Sequence, residues 1–409
     1  MKIWLKYLMG IIIGVAAAIL LPAQNPQIQK ILSFLFELVV RFGRYTLIPV
    51  LFFSVATACF KLNEEKSVIK TGLWTFGIII VSSALLTLLG IVSALLIKLP
   101  QIPVGVETSA SPEKISVSEL ILKLFPYSGF ESLLNGTYLL PCFIFAGLAG
   151  AGASSERAAS KTVFSLFDAL SKVCYNVMNF MTEILAVALI AITCKWTVDF
   201  ISVLQFKKFT PLLLLLTGDF FLVALVIYPL ILKFFFKESH PYRVLYAGIA
   251  PLFVAFLSAD TNLVLPVNMR FGKESLGIKR RINAVSFPLF SIFAKGGVAF
   301  VSCVCFVTIL RSYSPLEISR NVIFWLGIHA FLLSFIFCEH PTGSAFLCIT
   351  LLCLSYGGGF REGYLLLKNA APIICAFATA FDALTALFGS YIVGLKTKHI
   401  VRQDIKHFI

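Results

Sequence analysis

The sequence predicts an all-α polytopic membrane protein, and three observations carry that expectation. Of its 409 residues, 59% are hydrophobic and only 13% are charged, far more apolar surface than a soluble globular chain buries. That apolar content falls into runs close to the ~20 residues a helix needs to cross a bilayer. Two further apolar segments are each interrupted by a polar tip, leaving arms too short to span. Such a pair reads as re-entrant hairpins that enter and leave by the same side.

Taken in order, the expected spans are eight: residues 4–22, 32–60, 71–99, 133–153, 171–194, 210–236, 283–311 and 363–395, each near spanning length. The first follows a basic start, but its apolar run is long and no small-residue cleavage site follows Pro22. It therefore reads as a spanning helix rather than a removable leader. The first hairpin, about 243–279, climbs through apolar residues 251–257, breaks at Ser258-Ala259-Asp260-Thr261-Asn262 and returns through 263–267 to a basic stretch. The second, about 321–358, breaks at Glu339-His340-Pro341-Thr342-Gly343-Ser344, where proline and glycine free backbone groups that a ligand could meet. Polar backbone at that depth survives only against protein or a water-filled cavity, so both tips are candidate solute sites.

Net charge is +14, carried largely by short flanking loops, which points to topology and anionic lipid headgroups and not to nucleic acid. Lys2 and Lys6, Lys61 to Lys70, Arg157 to Lys172, Lys233 to Arg243, Arg270 to Arg281 and Lys396 to Lys406 share one side if the spans alternate. The positive-inside rule makes that side cytoplasmic, with both termini inside, in a plasma-membrane protein. The opposite side holds the acidic segment 101–119, with 195–208, 311–320 and Arg361. Ten cysteines lie mostly in apolar runs with no CxxC pair and read as small hydrophobes. No His-Glu-x-x-His, phosphate loop or Gly-x-Ser-x-Gly elbow is present, and Gly218-Asp219 lacks the first glycine of an intramembrane aspartyl protease. The reading is a non-enzyme with no cofactor and no bound metal.

Three stretches resemble a known family: Leu47-Ile48-Pro49-Val50-Leu51-Phe52-Phe53, the hydroxyl pair Ser82-Ser83, and Leu265-Pro266-Val267-Asn268-Met269-Arg270. They are similar to segments of the dicarboxylate/amino acid:cation symporters, the glutamate transporter fold. The resemblance implies eight spanning helices, two opposed hairpins, a homotrimer and a transport core that slides as an elevator past a scaffold. It assigns the scaffold to about 1–70 and 133–236, and the core to about 71–99 and 243–396. It implies sodium as the coupling ion.

The chemistry departs from that family where solute and cation would bind. The serine-rich first tip becomes Ala259-Asp260-Thr261-Asn262, and the seventh-helix cation motif falls on Ala294-Lys295-Gly296-Gly297-Val298, which offers no side-chain oxygen to a hard cation. In the last span, Cys375 and Ala378 stand where the resemblance places an amino-group aspartate and a carboxylate-binding arginine, so the bidentate fork is gone. New charges appear instead: Asp260, Lys295 and Asp382, with Glu339 and His340 in the second hairpin. Intramembrane ionisable residues cost at least ~2.5 kcal/mol each on insertion scales, so they are rare unless paired or functional. The expected solute site is Asp260, Thr261, Asn262, Thr342, Gly343, Ser344, Thr379 and Asp382. The expected charge-compensating set is Lys295, Gly296, Ser82 and Ser83, with the Lys295 ammonium standing for a coupling cation and pairing with Asp260 or Asp382. Glu37, Arg41 and Arg44 read as an ion-pair stripe at the membrane edge, and Asp219 and Glu183 as charges on helices that need not reach the tips.

The functional expectation is a secondary transporter of a small organic solute, dicarboxylate or amino acid, with an altered site. The coupling ion is sodium by resemblance, and a proton or none by the altered motif. Alternatives are a proton-coupled or uncoupled carrier of a neutral or cationic solute, and a transporter-fold protein that binds without turnover.

Overall fold

In an apolar run every backbone N–H must find its acceptor inside the segment, so the chain winds into helices wherever hydrophobic residues follow one another. The computed structural model describes residues 2–21, 25–103, 122, 126–134, 136–155, 157–205, 207–314, 318–337, 340–357 and 359–409. Among them the regular structure is helical, with one isolated antiparallel bridge between Ile278 and Ile400. Seven helical stretches are long and apolar enough to cross a membrane: Ile3–Leu20, Pro26–Glu64, Val68–Leu96, Ser160–Leu204, Lys207–Phe235, Arg280–Tyr313 and Gly363–Lys396. Shorter apolar helices occupy Leu140–Ser155, Tyr242–Ser258, Arg320–Ile336 and Ser344–Tyr356.

Several boundaries differ from the sequence reading, each for a local reason. The expected span 32–60 is two helices, Pro26–Arg44 and Leu47–Glu64, parted at Tyr45-Thr46. The first is amphipathic, with its N-terminus capped by the Asn25 side chain accepting from Gln27 N at 3.0 Å. The span 133–153 begins later, at Leu140, and 171–194 is the middle of one helix, Arg157–Gln205. The span 210–236 contains a π-helical turn, Val223–Ile227, just before Tyr228-Pro229. Pro229 cannot donate to the Leu225 carbonyl, and the Tyr242 hydroxyl donates to it instead at 3.1 Å. Most consequential, the span 283–311 is broken into Arg280–Phe293 and Gly296–Tyr313. The expectation that Lys295 is mid-helix is corrected: it occupies the break, where Ala294 (ψ 66°) and Lys295 (ψ 35°) leave helical geometry. The weak helix formers Gly296 and Gly297 follow immediately.

Burial separates centre from periphery. The most apolar windows of Arg280–Tyr313 and Gly363–Lys396 are 94% and 89% buried, against 28% for Ile3–Leu20, so the broken helix and the last helix form the middle of the molecule. Both hairpins pack against them, as does Val68–Leu96, while Ile3–Leu20 lies along Arg157–Gln205. The two central elements cross closely at Gly297, where a Cβ would stand 2.4 Å from the Ala378 carbonyl oxygen and 2.5 Å from Phe381 Cβ.

Gly297→Ala is therefore expected to lower thermal stability in detergent by about 1–3 kcal/mol through overpacking. Gly77→Ala, at a position with open space where its Cβ would sit, is expected to leave it unchanged or slightly raised.

Candidate functional site

The first hairpin turns at Ala259, whose φ of 51° is left-handed, and restarts at Asp260, extended at φ −134°. An aspartate here is a natural cap for the next helix, Thr261–Glu274, because its carboxylate meets the unpaired N–H groups at the positive end of the helix dipole. Asp260 Oδ1 accepts from Asn262 N at 2.9 Å and Leu263 N at 3.2 Å. Its Oδ2 accepts from the Arg44 guanidinium, and the Asp260 side chain is fully buried. Asn262 Nδ2 donates to the Thr137 carbonyl at 2.9 Å. The tip is thus fastened to two segments outside the hairpin.

Arg44 is the residue that sequence reasoning missed. Within its stripe, Glu37 pairs with Arg41 at 2.5 Å, and Arg44 has no acid three or four positions away. That unmatched charge was the available signal. The base of the hairpin is held the same way. Buried Arg270 donates to the Asn179 carbonyl at 2.8 Å and to Thr182 Oγ1 at 2.7 Å, and it pairs with Glu183 at 3.0 Å and Glu274 at 3.3 Å. Glu183 therefore reaches the hairpin's base and not its tip.

The centre of the site is Thr261. Lys295, fully buried at the helix break, donates from Nζ to Thr261 Oγ1 at 3.0 Å. Thr261 N donates to the Pro341 carbonyl of the second tip at 3.0 Å, and Thr261 Oγ1 lies 3.4 Å from the same oxygen. First tip, second tip and broken helix meet at one hydroxyl. Across the break, Asp382 Oδ1 accepts from Gly297 N at 2.7 Å, capping Gly296–Tyr313 from the last helix. Lys295 stands two residues before Gly297, whose amide Asp382 holds. Asp382 Oδ2 and Ser83 Oγ are buried with no hydrogen-bond partner among the described residues, and Ser83 packs on Gly296, whose Cβ would sit 3.4 Å from Ser83 Oγ.

The remaining expected residues divide. Ser344 is buried at the second tip behind Gly343, which is left-handed at φ 73°, and Thr342 is exposed. Thr379 is buried and its hydroxyl donates back to the Cys375 carbonyl at 3.0 Å. Ser82 faces away from Ser83, donating to the Ile79 carbonyl at 3.1 Å and lining a separate apolar cleft. His340 lies beside the rings of Phe337 and Tyr138, at centroid distances of 5.7 and 6.4 Å. Glu339 and residues 104–119 of the acidic segment lie outside the described residues. Asp219 accepts from Ser93 Oγ at 2.6 Å, away from both tips. So Thr261, Lys295, Gly296, Ser83 and Asp382 come together around the break, whereas Asp260 and Asn262 turn towards Arg44 and Thr137.

This arrangement offers an ammonium, a hydroxyl and a carboxylate, all buried, with no guanidinium fork among the described residues at its centre. Around the break the side-chain oxygens are Thr261 Oγ1, Ser83 Oγ and the Asp382 carboxylate, with the Lys295 ammonium beside them. Among the described residues no group of three His, Cys, Asp or Glu side chains could hold a metal ion.

Long apolar helices, hairpins meeting over a broken helix and charges gathered at that break define a multi-pass membrane protein of the transporter class, not an enzyme. The chain belongs to the sodium:dicarboxylate symporter family, whose model matches residues 3–395. It is similar to the serine/threonine transporter SstT of Enterococcus faecalis, 26% identical over 366 residues, covering 86% of this chain and 81% of the relative. It is also similar to the bovine neutral amino acid transporter B(0), 22% identical over 324 residues, 71% of this chain and 60% of the relative. The human neutral amino acid transporter A is 29% identical over 105 residues, 26% of this chain and 19% of the relative.

Removing Arg44 alone leaves a buried carboxylate without its counter-charge. Arg44→Ala is expected to destabilise by about 3–5 kcal/mol, and Asp260→Asn in that background to recover most of the loss, because asparagine still caps the helix. Thermal unfolding of the two single variants and the double variant in detergent measures this coupling.

Proposed function

We propose that the protein is a secondary transporter of a small organic solute, amino acid or dicarboxylate, in which the Lys295 ammonium takes the place of a coupling cation. The observation that carries this reading is the fully buried Lys295 at the helix break, donating to Thr261 at 3.0 Å and two residues from the amide that Asp382 holds. A positive charge built into the chain removes the need for a sodium ion at that point. Of the solute classes, a neutral amino acid fits best. Cys375 and Ala378 supply no fork for a second carboxylate, and the relatives' names speak of serine, threonine and neutral amino acids. Solute contacts in this reading come from Thr261, Ser344, Gly343, Thr342, Thr379 and Asp382, and Asp260 and Asn262 shape the tip.

The eight crossings, two re-entrant hairpins, cytoplasmic termini, plasma-membrane location and homotrimer belong to the same proposal, as does the elevator. In it, the core (about 71–99 and 243–396) moves past a scaffold (about 1–70 and 133–236), so Arg44–Asp260 and Thr137–Asn262 are contacts between the two that break in each cycle. Those same fastenings favour a second reading, a protein that binds solute without turnover.

Proteoliposome uptake of a panel of neutral, acidic and basic amino acids and dicarboxylates, under a sodium gradient, a proton gradient or neither, separates these readings. The expected result is sodium-independent uptake of a neutral amino acid, falling roughly tenfold or more, a loss of at least about 1.4 kcal/mol, in Lys295→Met and in Asp382→Asn. Sodium-driven uptake overturns the role given to Lys295, and saturable binding with no uptake establishes the second reading.

A further inference from the structure

Away from the hairpin tips, the structure holds a cleft of about 490 Å³ between Val68–Leu96, the end of the π-interrupted helix and Ala371–Lys396. This volume falls within the range of true ligand pockets. Its walls are almost wholly apolar and include Gly77, Val81, Ile231, Phe388 and Ile392. Leu73 and Val81 on its rim are 70% and 68% exposed, so the cleft opens outward from the helical core and not towards the tips. The polar group deep in its wall is already satisfied, because Tyr228 Oη and Thr385 Oγ1 are 2.6 Å apart. An interior of this kind accepts hydrocarbon and gives a polar solute nothing to bond.

One end of the cleft is charged. Trp74 and Phe236 line it, and the exposed Lys396 ammonium stands over both rings, 5.3 Å from the Trp74 centroid and 5.1 Å from that of Phe236. Lys70 lies one helical turn before Trp74, and Lys233 three residues before Phe236, so helix register brings two more ammonium groups to the same end. The acids nearest Lys70 and Lys233 in sequence are engaged elsewhere: Glu65 pairs with Arg281 and His399, and Glu238 turns away. It is buried against Arg402 at 3.1 Å and Tyr391 Oη at 3.2 Å.

We infer that this cleft is a binding site for an anionic phospholipid, with one acyl chain in the groove and the phosphate on Lys396. The two halves of the site match the two halves of such a lipid: a dry slot open to the hydrocarbon, and ammonium groups over an aromatic pair where a headgroup lies. The π turn before Tyr228 belongs to the same device, since π turns relocate side chains at functional places in helices. Here it sets Tyr228 against Thr385 and seals the wall.

The test uses the full chain, delipidated in detergent and titrated with dioleoyl phosphatidylglycerol or dioleoyl phosphatidylcholine. Thermal shift and lipid adducts in native mass spectra are read together. Phosphatidylglycerol is expected to bind and stabilise more than phosphatidylcholine. Gly77→Phe fills the slot from a position with free space around it and is expected to abolish both adducts. Lys396→Gln is expected to weaken phosphatidylglycerol about fivefold while leaving phosphatidylcholine unchanged. Equal affinity for the two lipids in the unaltered protein overturns the proposal, as does undiminished phosphatidylglycerol binding in Gly77→Phe. A fall in oligomeric mass in Gly77→Phe without loss of lipid would assign the cleft to a second copy of the chain instead.

Discussion

A charge inside a membrane protein cannot stay unpaired at low cost, and the arrangement of this molecule's interior follows from that constraint. Asp260 is fully buried and satisfied by a guanidinium and two backbone amides. Lys295 is fully buried at a helix break and reaches a hydroxyl of the first hairpin. Arg270 is held by two carboxylates and by a carbonyl and a hydroxyl of the long helix. Each charge links an element to another that is distant in sequence, so the hairpin's position, its contact with the second tip and the geometry of the break are coupled. The packing around them is correspondingly close, with Gly297 leaving no room for a methyl group against the last helix.

The same economy shapes the backbone. Interrupted helices leave amides and carbonyls without partners, and at three interruptions a neighbour meets them. The Asp382 carboxylate receives the Gly297 amide, the Pro341 carbonyl receives Thr261 N, and the Tyr242 hydroxyl reaches the carbonyl that Pro229 leaves free. Two of these three compensations lie at the break between the hairpin tips, which is why chemistry concentrates there. The third lies one turn before Tyr228, which lines the apolar cleft, so these two places differ in character: one polar and enclosed, the other hydrocarbon-like and open.

The chain belongs to a symporter family, and its interior charges are held by partners from several elements. Lys295 and the paired glycines Gly296 and Gly297 stand at the helix break, and the last helix carries Cys375 and Ala378 on its buried face. Arg44, from a helix near the N-terminus, brings a guanidinium to the first tip from outside it. Charge is thus spread among elements, with Asp260 answered by Arg44, Lys295 by Thr261, and Asp382 holding the Gly297 amide.

The sequence by itself determined the class of fold, an all-helical polytopic membrane protein, because hydrophobic run length and charge scarcity are local properties that the bilayer reads directly. Asp260, Thr261, Lys295 and Asp382 were all legible as isolated polar positions in apolar surroundings. Only the tertiary structure decided their partners. It gave Asp260 to Arg44, 216 positions away in the chain, and Lys295 to Thr261. It also turned Ser82 and Ser83 to different surroundings and put Lys295 at a break instead of inside a helix. Pairing of buried charges is a long-range selection among all groups that packing brings within reach, and helical periodicity carries no information about which of them that will be.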